Sequence, residues 1–126
     1  MKLHLDTSVL IDALTGPAPT PDPIEKRIRA GDRLFISTLV LFEWLRGPRT
    51  DAERALRVSL FPDPQLVVFG LEEATRAAGL YRSLLRPRQR EVDIAIAACA
   101  IEHGAALWTL NPEDFKDIPG LTLYPG

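Results

Sequence analysis

Short apolar runs alternate with helical segments along this chain, and that alternation constrains the fold more than any other feature. Lys2 to Leu5 reads as a buried strand, Leu34 to Ser37 as a second, and the β-branched and aromatic run Gln65 to Phe69 as a third. Ala106 to Leu110 supplies a fourth strand and Leu121 to Tyr124 a fifth, at an edge. The segments between them carry helical punctuation. Asp6, Thr7 and Ser8 are N-cap residues before Val9 to Leu14, and Ile24 to Ala30 is a short helix closed by Gly31. Ser37 or Thr38 caps a helix that runs to Arg46 and stops at Gly47-Pro48. Thr50-Asp51-Ala52-Glu53 has the spacing of a capping box and opens a helix towards Leu60. Leu71 to Leu85 and Glu91 to His103 complete the helical set. Gly16 to Pro23 holds four of the eleven prolines and must be a loop. Strands separated by helices in this way predict an α/β fold with a mostly parallel central sheet of four to five strands, flanked by helices.

Composition narrows the class. The 126 residues suffice for one domain, spanning 1–126, with one hydrophobic core. A single cysteine, Cys99, excludes a disulfide scaffold or a cysteine-rich zinc module. No apolar run approaches the ~18 residues of a membrane span, and the first residues lack the apolar core of a signal peptide. The expected setting is therefore cytoplasmic, with no membrane partner. Fifteen basic residues against seventeen acidic ones give a net charge of −2, so no bulk basic field advertises a nucleic-acid partner.

The acids carry more information than their number. In a parallel α/β sheet ligands bind beyond the carboxyl ends of the strands, and Asp6 directly follows the first strand. Asp6 alone serves equally well as an N-cap, although Thr7 or Ser8 could fill that role. Glu43 is the one charge in Leu39-Val40-Leu41-Phe42-Glu43-Trp44-Leu45. A helix so apolar predicts burial, and a buried carboxylate costs several kcal/mol unless it is paired, with Arg46 for instance, or bound to a metal. Asp93 opens an apolar, small-residue helix, where the helix dipole also favours an acid. Asn111 and Asp114 lie in Thr109-Leu110-Asn111-Pro112-Glu113-Asp114-Phe115, where either could line a turn. Each acid thus has a structural explanation, but all of these would have to hold at once. Carboxylates converging on one sheet edge repel one another, and a divalent cation reverses that cost. An oxygen-only donor set suits Mg²⁺ or Mn²⁺ better than Zn²⁺. Such a cluster hydrolyses phosphodiesters, with Thr7 or Ser8 orienting a carboxylate.

In order along the chain, Asp6-Thr7-Ser8, Glu43 ahead of Gly47, Asp93-Ile94-Ala95-Ile96-Ala97-Ala98, and Thr109 to Phe115 resemble the PIN-domain ribonucleases, in particular the VapC-type toxins of toxin–antitoxin pairs. The resemblance spans essentially the whole chain. It implies a PIN-like three-layer sandwich and a Mg²⁺- or Mn²⁺-dependent endoribonuclease acting on RNA. It implies a cognate antitoxin whose C-terminal segment occupies the active groove, and frequent homodimerisation. Carried over, the catalytic set is Asp6, Glu43, Asp93 and Asp114. Asp6 and Asp93 bind the metal, with Glu43 and Asp114 as further ligands and Thr7, Ser8 and Asn111 orienting them. Whether Asn111 or Asp114 completes the set stays open on the sequence.

The arginines add a substrate surface. Arg86, Arg88 and Arg90 stand just ahead of Asp93 in a stretch without acids, and arginine binds phosphate through two parallel hydrogen bonds. These three are the expected RNA-contacting rim, and the total of −2 conceals their separation from the acids. Two other classes compete: a catalytically silent α/β binding module, and a phospho-receiver-like signalling domain. The second lacks a lysine close after the fourth strand, since Lys116 lies past the turn.

Overall fold

Lys2–Leu5 forms β1, the middle strand of a three-stranded sheet, with β2 (Arg33–Phe35) on one side and β3 (Ala106–Trp108) on the other. Both pairings are parallel, with Leu3 opposite Leu34 and Ala106, and His4 opposite Phe35 and Leu107. The computed structural model describes residues 1–125; Gly126, the last residue of the expected domain, lies outside the described residues. Six helices make the crossovers: α1 (Thr7–Leu14) and α2 (Asp22–Arg29) between β1 and β2, then α3 (Thr38–Leu45), α4 (Asp51–Leu60), α5 (Leu71–Ser83) and α6 (Glu91–Glu102) before β3. Adjacent residues of a strand point to opposite faces. Leu3, His4 and Leu5 are all 0 % exposed, so both faces of β1 are covered, which is the three-layer arrangement expected. α6 packs on β1 and β3, and α2 packs on β2. Residues Ile94 to Ala100 of α6 are all buried, and their small side chains let this helix approach the sheet closely.

Local sequence explains most of the boundaries. In α4 the Thr50 hydroxyl accepts from the Glu53 amide while the Glu53 carboxylate accepts from the Thr50 amide, the reciprocal pair read from the spacing. α5 stops at Ser83, two residues short of expectation, because Leu84 is extended and Leu85 is 98 % exposed. No helix among the described residues is long and apolar enough to cross a membrane.

The sheet is narrower than the predicted four to five strands. Pro62 precedes and Pro64 lies within a 3-10 turn at Asp63–Gln65, which takes up the start of the expected third strand. Only a single parallel bridge, Val67 with Ser37, remains of it, held by hydrogen bonds from Val67 to Ile36 and from Thr38 to Val67. Leu121 to Tyr124 likewise makes one parallel bridge, Leu123 with Leu107, squeezed between a turn at Gly120 (φ +81°) and Pro125. β3 ends at Trp108, and not at Leu110, for a reason tied to the site. The Leu110 amide donates to Ser8 Oγ and the Asn111 amide to Thr109 Oγ1, so hydroxyls take the amides that a longer strand would pair.

Candidate active site at the carboxyl ends of the strands

The chain starts in the middle strand, crosses to β2, and returns past β1 to β3. The carboxyl end of β1 is therefore where the connections part in opposite directions, the topological switch point at which α/β sheets bind ligands. Asp6 occupies it, 5 % exposed. It stands at the N-cap of α1, yet its side chain makes no capping hydrogen bond. Its Oδ2 instead accepts from the Ser8 hydroxyl at 2.8 Å and from the Thr109 hydroxyl at 2.8 Å. Hydrogen bonds to a carboxylate contribute about 1.5–3 kcal/mol each, so these two hold the group in place and leave Oδ1 without a protein donor among the described residues. The cap explanation for Asp6 does not hold.

Glu43, in the middle of α3, is oriented from the same strand end, by the residue next to Asp6. Its Oε1 accepts from Thr7 Oγ1 at 2.6 Å, and its Oε2 lies 3.6 Å from Arg46 Nη2. The Arg46 guanidinium is largely exposed and also lies over the Phe42 ring, so this pair is not the buried ion pair the sequence allowed. The expectation that the whole of α3 is buried also fails. Val40 and Trp44 are its only buried residues, Phe42 is 59 % exposed and Leu45 is exposed. Apolar composition does not distinguish a core helix from one that presents apolar side chains outward.

Asp93 lies in the first turn of α6, half-buried, with its pKa pushed up to about 6. Loss of solvent is the first cause, followed by the charges of Asp6, Asp114 and Glu43, which Arg90 opposes. The charges of the other three expected acids therefore all bear on Asp93 at this end of the sheet. From the last segment, the charge of Asp114 reaches Asp93. The Asn111 side chain makes no hydrogen bond among the described residues, while its carbonyl accepts from the Asp114 amide to close a 3-10 turn at Pro112–Asp114. The side chains do not form a closed cage, and among the described residues no three Asp, Glu, His or Cys groups lie close enough to hold an ion as they stand. Their chemistry still fits a hard divalent cation. The donors are all carboxylate oxygens, two of the groups are pre-oriented by hydroxyls, and their mutual repulsion is what a cation relieves.

The expected arginine rim divides. Arg86 and Arg88 are exposed, and their side chains make no hydrogen bond or ion pair among the described residues; with Tyr81, Leu85 and Pro87 they line a surface cavity of about 470 Å³. Arg90 is not open to solvent in the same way. Its guanidinium binds the Asp117 carboxylate through both terminal nitrogens, at 2.6 and 2.9 Å. Sequence reading gave no role to Thr109 or Asp117. Thr109 lay inside the quoted motif, and its hydroxyl could have been weighed with those of Thr7 and Ser8. Nothing in the local pattern marked Asp117.

Trp44 and Trp108 are both core residues, Cys99 is buried among small side chains, and His103 lies 3.0 Å from Glu73 at the far end of α6. None belongs to the site.

Comparison with known proteins bears on the fold and the family. The PIN domain family profile matches residues 3–121. The chain is 34 % identical to ribonuclease VapC1 of Rickettsia felis, over 96 % of this chain and 93 % of that protein. It is 34 % identical to ribonuclease VapC19 of Mycobacterium tuberculosis, over 96 % and 97 %. Among solved structures, DNA-bound VapBC of Salmonella typhimurium superposes with a TM-score of 0.78 at 25 % identity, covering 98 % of this chain and 97 % of that one. VapBC2 of Rickettsia felis, bound to a promoter DNA fragment, gives 0.76 at 20 % identity and shares the fold, covering 98 % of each chain. With a matching profile over nearly its full length and relatives alike from end to end, the chain belongs to the PIN-domain family, among its VapC-type members.

Proposed function

We propose that this protein is a divalent-metal-dependent endoribonuclease and the toxin of a toxin–antitoxin pair. The observation that carries the reading is the convergence of four carboxylate charges, Asp6, Glu43, Asp93 and Asp114, on the carboxyl end of the sheet. Asp6 and Asp93 are the proposed ligands of Mg²⁺ or Mn²⁺, with Glu43 and Asp114 completing the set. When bound, the cation supplies activation of water and neutralisation of charge on the scissile phosphate. The protein's own part is orientation. Ser8 and Thr109 fix Asp6 through one oxygen, and Thr7 fixes Glu43. Asn111 orients by closing the turn that carries Asp114. Arg86 and Arg88 are the proposed phosphate contacts on RNA, beside the start of α6.

The names of the relatives support RNA as substrate, and the VapBC complexes among the similar structures support an antitoxin partner. The exposed apolar side chains Ile11, Phe42 and Leu45 lie on α1 and α3, which pack together, and suit a partner chain that buries them. A homodimer is also proposed, on the relatedness to VapC-type proteins.

Incubation of the purified chain with RNA and Mn²⁺, followed by mapping of the ends, tests the activity. Cleavage is expected to fall roughly a hundredfold or more in Asp6→Asn and Asp93→Asn, since the cation's charge stabilisation is worth several kcal/mol, with folding retained. Undiminished cleavage by both variants would sink the reading. A wild-type protein that binds no Mn²⁺ would instead favour the silent binding module.

A further inference from the structure

Arg90 is the N-cap residue of α6, three positions before Asp93, and its carbonyl accepts the Ile94 amide at 2.8 Å. Its side chain reaches in three directions. Nη1 donates to Asp117 Oδ2 at 2.9 Å and to the Arg86 carbonyl at 3.1 Å. Nη2 donates to Asp117 Oδ1 at 2.6 Å and to the Asp114 carbonyl at 3.0 Å. One rigid guanidinium thus ties the start of the helix that bears Asp93 to the turn that bears Asp114. It does so while both carboxylates attract it. A guanidinium beside two unpaired carboxylates moves onto them unless something else holds its fork. Asp117 holds it.

We propose that Arg90 and Asp117 form a positioning clasp: Arg90 fixes the Asp114 turn against the start of α6, and Asp117 keeps the guanidinium off Asp93 and Asp114 so that their oxygens remain open to a cation. Neither residue is catalytic. The clasp rests on the metal-dependent reading above, and it gives Arg90 a role distinct from the phosphate rim of Arg86 and Arg88. An ordinary surface ion pair makes a different prediction, because it contributes at most about 1 kcal/mol to stability and leaves cation binding unchanged.

Calorimetric titration of the full chain with Mn²⁺, paired with hydrogen exchange of the Asp114, Phe115 and Lys116 amides in metal-free protein, separates the two. Asp117→Asn frees the guanidinium. It is expected to weaken Mn²⁺ binding about tenfold or more, the usual cost of losing a residue that orients a ligand, with a melting temperature close to wild type. Asp117→Glu restores the carboxylate and most of the affinity. The double variant Arg90→Ala with Asp117→Asn removes the competing cation and binds Mn²⁺ more tightly than Asp117→Asn alone, a coupling that independent sites do not show. Wild-type affinity in Asp117→Asn overturns the clasp, and so does a double variant weaker than the single. If the wild type takes up no Mn²⁺, the metal-dependent reading falls, and exchange then decides the clasp. Faster exchange at those amides in Asp117→Asn supports it, and unchanged exchange overturns it.

Discussion

At the amino ends of the strands, Asp32 lies 3.3 Å from Arg27 and 2.9 Å from the amino group of Met1, Lys2 donates to the His103 carbonyl, and His103 faces Glu73. At the carboxyl ends, about four residues further along each strand, the charges of Asp6, Glu43 and Asp114 bear on Asp93, while the nearest cations are exposed or held elsewhere. Between the two ends, on β1, the His4 ring is fully buried against Phe35, and neither nitrogen is hydrogen-bonded among the described residues. The same three strands therefore carry balanced charge at one end and unrelieved charge at the other. The lesson concerns where stability is located. The paired end and the buried core hold the sheet together, so the opposite end can keep groups in an arrangement that favours a ligand over the folded chain itself.

The largest effect that would sharpen this contrast belongs to His4. Burial lowers its pKa from 6.5 to about 4. The unfolded chain takes up a proton below pH 6.5 and the native one only below 4, so stability falls across that window as pH falls, by about 3 kcal/mol in all, and is unaffected above it. Denaturant titrations at a series of pH values should show this acid limb in the wild type and a flatter one in His4→Leu. Equal limbs in both would remove His4 from the argument.

Asp93 titrates in the opposite sense. Its folded pKa is raised to about 6, so its contribution to metal-free stability is fully present below the ordinary value of 3.8 and is lost as pH rises through 6. Asp93→Asn should then raise the melting temperature of the metal-free protein at pH 8, by roughly a few degrees, and make no difference near pH 3. A variant less stable than wild type at pH 8 would break the contrast between the two ends. The smallest effect is expected at the paired end. Asp32→Asn should cost roughly 1 kcal/mol or less, as partly exposed pairs do, and should destabilise at pH 8, where Asp93→Asn stabilises. Melting curves of the two variants at one pH give the comparison of sign directly.

How much of this was legible depended on distance along the chain. The α4 capping box is a four-residue matter, and Thr50 and Glu53 announce it. Asp6, Asp93 and Asp114 could be picked out because each is an acid just after a strand or at a helix start, and Glu43 because it is the one charge in an apolar helix. The holding of Asp6 could not be read, because the hydroxyl of Thr109 comes from 103 residues away. Arg90 reads as part of a basic run, and only the fold brings Asp117 to it across 27 positions. Gln65 to Phe69 and Leu121 to Tyr124 have strand composition, but prolines and a tight turn limit each to one bridge. Phe42 and Leu45 show the remaining gap, since apolar residues that stay exposed and those that enter the core follow one another in the same run without a mark in the sequence.

The order in which the chain is made gives the hydroxyl on Asp6 a further meaning. Asp6 is made before Thr109, the residue 103 positions later that helps hold its carboxylate, and Asp114 follows later still. At ~5–20 residues per second, the interval is on the order of 5–20 s. Throughout that time β1 lacks its second neighbour and the acidic set has no fourth member. Under the proposed activity, a growing chain has no assembled means of cutting the RNA from which it is being translated until Thr109 and Asp114 have been added and have folded back onto β1.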